Sequence, residues 1–253
     1  MKNIILLSLL IANFCAAQES NRKLVWEENF NDKKLNDEVW NFELGDGCPT
    51  KCGWGNNECQ TYTQNNHFFK DGNLVIQVKK EGNTYTSTRI TTQNKKMFQY
   101  GKIEARIKIP TGKGIWPAFW MLGSNISKVN WPKCGEIDIL EYVGRNPNKI
   151  YTSLHTQDSH GKTINTKITD IKGIEDGFHL YAIDWTKDKI EFFVDDKSVY
   201  VFSPEIKNEN TWPYNQPFYI ILNGAVGGNF GGQDIDNGIF PQEFLIDYIR
   251  VYQ

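Results

Sequence analysis

The sequence predicts an all-β fold, a large sandwich of antiparallel strands, and three observations predict it. Segments that alternate apolar and polar residues recur between turn signals. Among the 253 residues are 8 Trp, 11 Tyr, 15 Phe and 21 Gly, a mixture suited to pleated sheets joined by tight turns. Strands do not alternate with helical patterns, which argues against a parallel sheet wrapped in helices.

In chain order, residues 74–78, 103–109, 190–194 and 244–252 read as strands, and Asp71-Gly72, Asp195-Asp196 and Gly227-Gly228 mark turns. No repeat, linker or low-complexity tract divides the chain, so residues 18–253 are expected to form one domain. Residues 1–17 read as an address. Met1-Lys2 supplies a positive start, 4–12 an apolar stretch, and Cys15-Ala16-Ala17 a small-residue cleavage site. The expectation is a signal peptide and a secreted protein, extracellular or periplasmic. No stretch reaches the ~18 apolar residues of a membrane span. Lys and Arg total 28 against 30 Asp and Glu, with no run of like charge, so nucleic acid and anionic membranes are not expected partners. A monomer is expected.

Loss of Cys15 leaves Cys48, Cys52, Cys59 and Cys134 in an oxidising compartment. Disulfides are the default there, with connectivity open and Cys134 either paired or free. Cys48 and Cys52 lack the second close Cys or His pair that structural zinc needs.

The chemistry concentrates in Gly135-Glu136-Ile137-Asp138-Ile139-Leu140-Glu141-Tyr142. Alternation puts Glu136 and Asp138 on one face of a strand and the two Ile residues behind it. Strict alternation would send Glu141 to the wrong side. A β-bulge around Ile139-Leu140 restores the parity and brings all three acids onto one face. Glu136 and Glu141 are then ~13 Å apart at Cα, and two Glu side chains leaning together leave about 5–6 Å between carboxyls. That spacing suits retention in glycoside hydrolysis, with Glu136 as nucleophile and Glu141 as acid/base. Asp138 lies between them, and the crowding raises at least one pKa. Trp116 and Trp120 are two strand repeats apart and share a face, which favours a cleft lining, since sugar rings pack their C–H faces on indoles. Trp26, Trp40 and Trp185 read as core.

The segment 135–143 resembles the active-site strand of glycoside hydrolase family 16, in the bulged form of its laminarinase branch. The resemblance spans essentially all of 18–253 and includes Gly53-Trp-Gly-Asn-Asn-Glu58, Gly114-Ile-Trp-Pro-Ala-Phe-Trp-Met-Leu-Gly123, Asn223-Gly-Ala-Val-Gly-Gly228 and Asp247-Tyr-Ile-Arg-Val-Tyr252. It implies a β-jelly-roll of two curved antiparallel sheets with an open concave cleft, the three acids at its centre. The implied activity is endo-acting, retaining cleavage of β-1,3-glucan such as laminarin, extending to mixed-linkage β-1,3-1,4-glucan, with no cofactor for catalysis. Sugar contacts are implied for Trp116, Trp120, Asn57, Glu58, Arg89, Trp131 and His155, with His155 bonded to the acids. A structural calcium ion is implied at Glu28, the Gly72 carbonyl and Asp247, oxygen ligands that suit a hard cation. Two other readings stand beside this one. β-Glucan recognition proteins share the scaffold but have lost catalytic acids, which are all present here. Hydrolases of agar, porphyran or carrageenan call for more basic clefts than this sequence signals.

Overall fold

The computed structural model describes residues 22–253, and the expected signal peptide over 1–17 lies outside the described residues. Alternating segments become two antiparallel-rich sheets. The first has eight strands, in the spatial order Thr166–Asp170, Lys149–His155, Glu136–Glu141, Ile115–Gly123, Phe218–Val226, Arg89–Thr91 and Asn41–Glu43, with Met97–Phe98 beside Phe218–Val226. The second has ten, running Lys197–Phe202, Ile190–Val194, His179–Trp185, Gly101–Lys108, Gln242–Tyr252, Asn73–Glu81, Thr84–Ser87 and Gln60–Tyr62. Leu24–Glu28 adds to Gln242–Tyr252, and His67–Lys70 adds to Asn73–Glu81. The α-helices among the described residues are two four-residue turns, Ile126–Val129 and Gly228–Gly231.

All four strands read from the sequence are present. One pairing departs from the antiparallel expectation, because Gln60–Tyr62 runs parallel to Thr84–Ser87. Its direction is set from the other side, where Tyr62 exchanges both main-chain hydrogen bonds with Gly45 at 2.9 Å. The turns follow from residue choice. Asp71 and Gly72 take φ of 52° and 76°, the left-handed pair that closes a two-residue hairpin. Asp195 and Asp196 do the same without glycine, at φ of 48° and 61°. The Asp195 carboxylate accepts from Leu180 N at 3.0 Å and lies 2.7 Å from His179 Nδ1, so the next strand holds the turn.

The core lies between the sheets. Ile137, Ile139 and Leu140 of the acid strand are fully buried there with Ile103, Ile107, Phe244 and Ile246 of the facing sheet. Each such side chain contributes about 1.5–3 kcal/mol relative to exposure, and together they fix which face the acids must take. Trp40 and Trp185 are core, and Trp26 packs at its margin. Cys48 and Cys52 form a disulfide, whereas Cys59 and Cys134 are free thiols. The disulfide default therefore holds for one pair, since Cys134 is buried among Leu122, Tyr219 and Ile221 while Cys59 is exposed beside Gly227.

Candidate active site

The expected bulge is present. Against Ile115–Gly123 the register runs Phe119 to Leu140 and then Trp120 to Asp138, leaving Ile139 unpaired. Against Lys149–His155, Asp138 faces Ser153 and Glu141 faces Tyr151, so Ile139 and Leu140 share one partner residue. Paired residues share a face of the sheet. Glu136 therefore lies between Leu122 and His155, Asp138 between Trp120 and Ser153, and Glu141 between Ala118 and Tyr151. The row through Glu141 continues past Ala118 to Asn223, Arg89 and Glu43.

Each acid has different surroundings. Glu136 Oε2 accepts the indole N–H of half-exposed Trp131 at 2.7 Å. Asp138 is buried, and that burial, with the adjacent Glu136 charge second, pushes its carboxyl well above the usual carboxylate range. Its Oδ2 lies 3.2 Å from His155 Nε2, but the contact is not aligned as a hydrogen bond, so this buried oxygen has no formed partner among the described residues. Glu141 Oε1 accepts the Trp116 indole N–H at 3.0 Å. The residue keeps some solvent exposure, yet its carboxyl is enclosed. Burial first, then the Asp138 charge, hold it well above the usual range, against the opposing hydrogen bond from Trp116. Each outer carboxyl thus accepts one indole N–H, while enclosure raises that of Glu141, surroundings different enough for two carboxyls to take different roles.

His155 has a definite tautomer. Its Nδ1 accepts the Gly161 main-chain N–H at 3.1 Å, which leaves the proton of the neutral ring on Nε2, facing Asp138 at 3.2 Å and Glu136 at 3.7 Å. Ligand atoms of Glu136, Asp138 and His155 lie within 4.8 Å of one another, a spacing open to a metal ion. The Nε2 proton occupies the lone pair such an ion would need, so the trio is better suited to sharing protons.

The structure brings Trp116, Trp120, Trp131 and His155 to the acid face and gives the other expected sugar contacts protein partners. Trp120 Nε1 donates to Asn223 Oδ1 at 2.8 Å. Arg89 pairs with Glu43 and stacks its guanidinium 4.5 Å from the Trp54 ring and 5.0 Å from the Trp120 ring. Asn57 Nδ2 donates to Asn229 Oδ1 at 2.9 Å, joining the loop before Gln60–Tyr62 to the turn Gly228–Gly231. The Glu58 carboxylate accepts from Asn56, Gln60 and Tyr62. Sequence reasoning missed Phe230 and Tyr151, which meet edge to face 4.9 Å apart, with Phe230 also 5.3 Å from Trp116 next to Glu141. It also missed His160, edge-on to Trp131 at 5.3 Å.

On the sheet away from the acids, both Glu28 oxygens accept hydrogen bonds, from Phe30 N at 3.3 Å and Trp40 Nε1 at 3.0 Å. Asp247 Oδ2 accepts from Arg106 at 2.5 Å. Each carboxylate oxygen has a second lone pair, so these hydrogen bonds alone do not exhaust the acceptor capacity of either side chain.

Comparison with known proteins agrees with this geometry. The chain is 37% identical to a beta-glucanase of Rhodothermus marinus over 98% of its own length and 93% of the relative. It is 38% identical to a glucan endo-1,3-beta-glucosidase of Cryptopygus antarcticus, over 95% and 96%. The crystal structure of laminarinase from Flavobacterium sp. UMI-01 superposes with a TM-score of 0.90 at 69% identity, covering 91% of this chain and all of that one. The family model for glycosyl hydrolases family 16 matches residues 55–249, which take in the bulged acid strand and both sheets around it, and the chain belongs to that family.

Proposed function

We propose that this protein is an endo-acting, retaining hydrolase of β-1,3-glucan, with laminarin as its substrate and mixed-linkage β-1,3-1,4-glucan as a secondary one. The observation that carries the reading is the bulge, which sets Glu136, Asp138 and Glu141 on one face in three different environments. Glu136 attacks the anomeric carbon, the bond from that carbon to the glycosidic oxygen breaks, and Glu141 delivers its proton to the departing oxygen. Glu141, now a carboxylate stabilised by the Trp116 N–H, takes a proton from water. That water attacks the same carbon and frees Glu136, so configuration is retained. Asp138 keeps a proton beside Glu136 and, with the Trp131 N–H at 2.7 Å and the His155 ring 3.7 Å away, stabilises the carboxylate as it leaves. The cycle closes on side-chain oxygens and water and needs no cofactor. The activities for which the relatives are named support the substrate class.

The test is product sizing from purified residues 18–253 on laminarin, lichenan, agarose, porphyran and carrageenan, with Glu136→Gln as control. Short laminarin oligomers that disappear in the variant are expected. Binding without cleavage, or cleavage of a galactan alone, overturns the reading.

Residues 1–17 support export, tested by N-terminal sequencing of the secreted protein, which should start at Gln18. Any other start, or retention in the cell, rejects the cleavage site. The oxygen ligands at Glu28, Gly72 and Asp247 support a structural calcium ion. Calcium should raise the melting temperature and a chelator lower it. Equal melting temperatures in both would remove the ion from the account.

A further inference from the structure

We propose that Tyr62 and Asn223 are positioning residues that fix the Trp120 ring for sugar stacking, through a one-way chain of hydrogen bonds that ends on the Glu58 carboxylate. The inference rests on the reading of the acid face as a glucan cleft.

The polarity of the chain is dictated from both ends. An indole N–H can only donate, so the Asn223 atom 2.8 Å from Trp120 Nε1 must be the carbonyl oxygen. Its amide nitrogen then faces Tyr62, donating to the hydroxyl at 3.0 Å. With that oxygen accepting, the Tyr62 hydrogen is directed to Glu58 Oε2 at 3.4 Å. From the far end, Gln60 Oε1 accepts Val226 N at 2.8 Å, which turns its Nε2 toward Glu58 Oε2 at 2.7 Å. Asn56 Nδ2 adds a donor to Oε1 at 3.0 Å. Every donor converges on Glu58, and only an acceptor-only carboxylate closes such a chain without an unpaired proton.

The intermediates are buried, with Tyr62 1%, Gln60 0% and Asn223 5% exposed, so water cannot substitute for a broken link. Burial, then the Glu58 charge, hold the Tyr62 hydroxyl well above its ordinary pKa, keeping it a donor. Trp120 is thus fixed at its edge by Asn223 and on one face by Arg89. Glu58, expected from the resemblance to touch sugar, acts here through two other residues on a ring that does.

A double-mutant cycle tests the chain. Tyr62→Phe should raise KM for laminarin about fivefold, the factor carried by one net hydrogen bond, with kcat falling much less. In a Trp120→Phe background, which lacks the indole N–H, Tyr62→Phe should leave KM unchanged. The same fivefold cost in both backgrounds would overturn the proposal, since a merely structural tyrosine acts additively. Should Tyr62→Phe not fold, Glu58→Gln enters the same cycle with the same expectation. The ligand-free measurement is hydrogen exchange at the Trp120 indole, slow in the parent and accelerated by Tyr62→Phe. It reads the chain even if the parent cleaves no β-1,3-glucan, and equal exchange rates would refute it.

Discussion

Replacing Glu141 by Gln should stabilise the protein while disabling it. Burial and the Asp138 charge hold the Glu141 carboxyl well above the ordinary carboxylate range, so its folded pKa exceeds its unfolded one. Below the unfolded value both states hold the proton, and nothing is lost. As pH rises past it, the unfolded chain ionises while the folded chain keeps its proton, so stability falls until the folded pKa is passed, at about 1.4 kcal/mol per unit of displacement. Gln has no proton to lose, has nearly the same volume, and keeps an Oε1 to accept the Trp116 N–H at 3.0 Å. A gain of about 1–2 kcal/mol near pH 8 is expected, typical of relieving a destabilised functional site. For a chain of this size that is a melting temperature higher by roughly 2–8 °C. Near pH 4 the gain should vanish. Thermal melts by circular dichroism at the two pH values supply the comparison, and hydrolysis should drop by about 10²–10⁴. A difference in melting temperature that is equal at both pH values, or negative near pH 8, would refute the assignment of Glu141 as the protonated acid.

Glu136→Ala should abolish hydrolysis and leave oligosaccharide binding nearly intact, and added azide should yield a glycosyl azide of inverted configuration; absence of that product removes Glu136 as nucleophile. Trp120→Ala should weaken binding of laminarin oligomers in calorimetry by about tenfold or more, the loss of roughly 1.4 kcal/mol or more of stacking and area, in a protein that stays folded but melts lower because the buried Asn223 carbonyl loses its donor. Unfolding instead would make Trp120 a core residue. In residues 18–253 a thiol reagent should label Cys59 alone in the native state, because Cys134 is buried and burial, then the Glu136 charge, push its thiol up to about 12. Labelling of both thiols before denaturation would contradict that burial.

The acid strand was legible because its argument is local. Parity along six residues demands a bulge if Glu136, Asp138 and Glu141 are to share a face, and core burial of Ile137, Ile139 and Leu140 enforces that face. The same local logic reached Trp116 and Trp120. What it could not reach were the partners that decide what a side chain does, because these come from register between distant segments. Asn223 and Tyr62 are 161 residues apart and Trp120 and Asn223 are 103 apart, yet a single hydrogen-bond chain joins them. Glu58 and Arg89 therefore stand in the sequence only as sugar contacts implied by the resemblance. In the fold, three donors engage the first and Glu43 and two indoles engage the second. The strand Gln60–Tyr62 escaped notice for the same reason, since three residues show no period and their pairing is parallel. The consequence is chemical. Trp116 and Trp131, expected to contact sugar, each also donate an N–H to a carboxyl acid, so in the proposed reaction a sugar-binding ring and a reacting group would be coupled through one bond. Substrate that shifted either ring would then alter the hydrogen bonding of the acid beside it, which in the proposed reaction ties sugar binding to proton transfer within one sheet face.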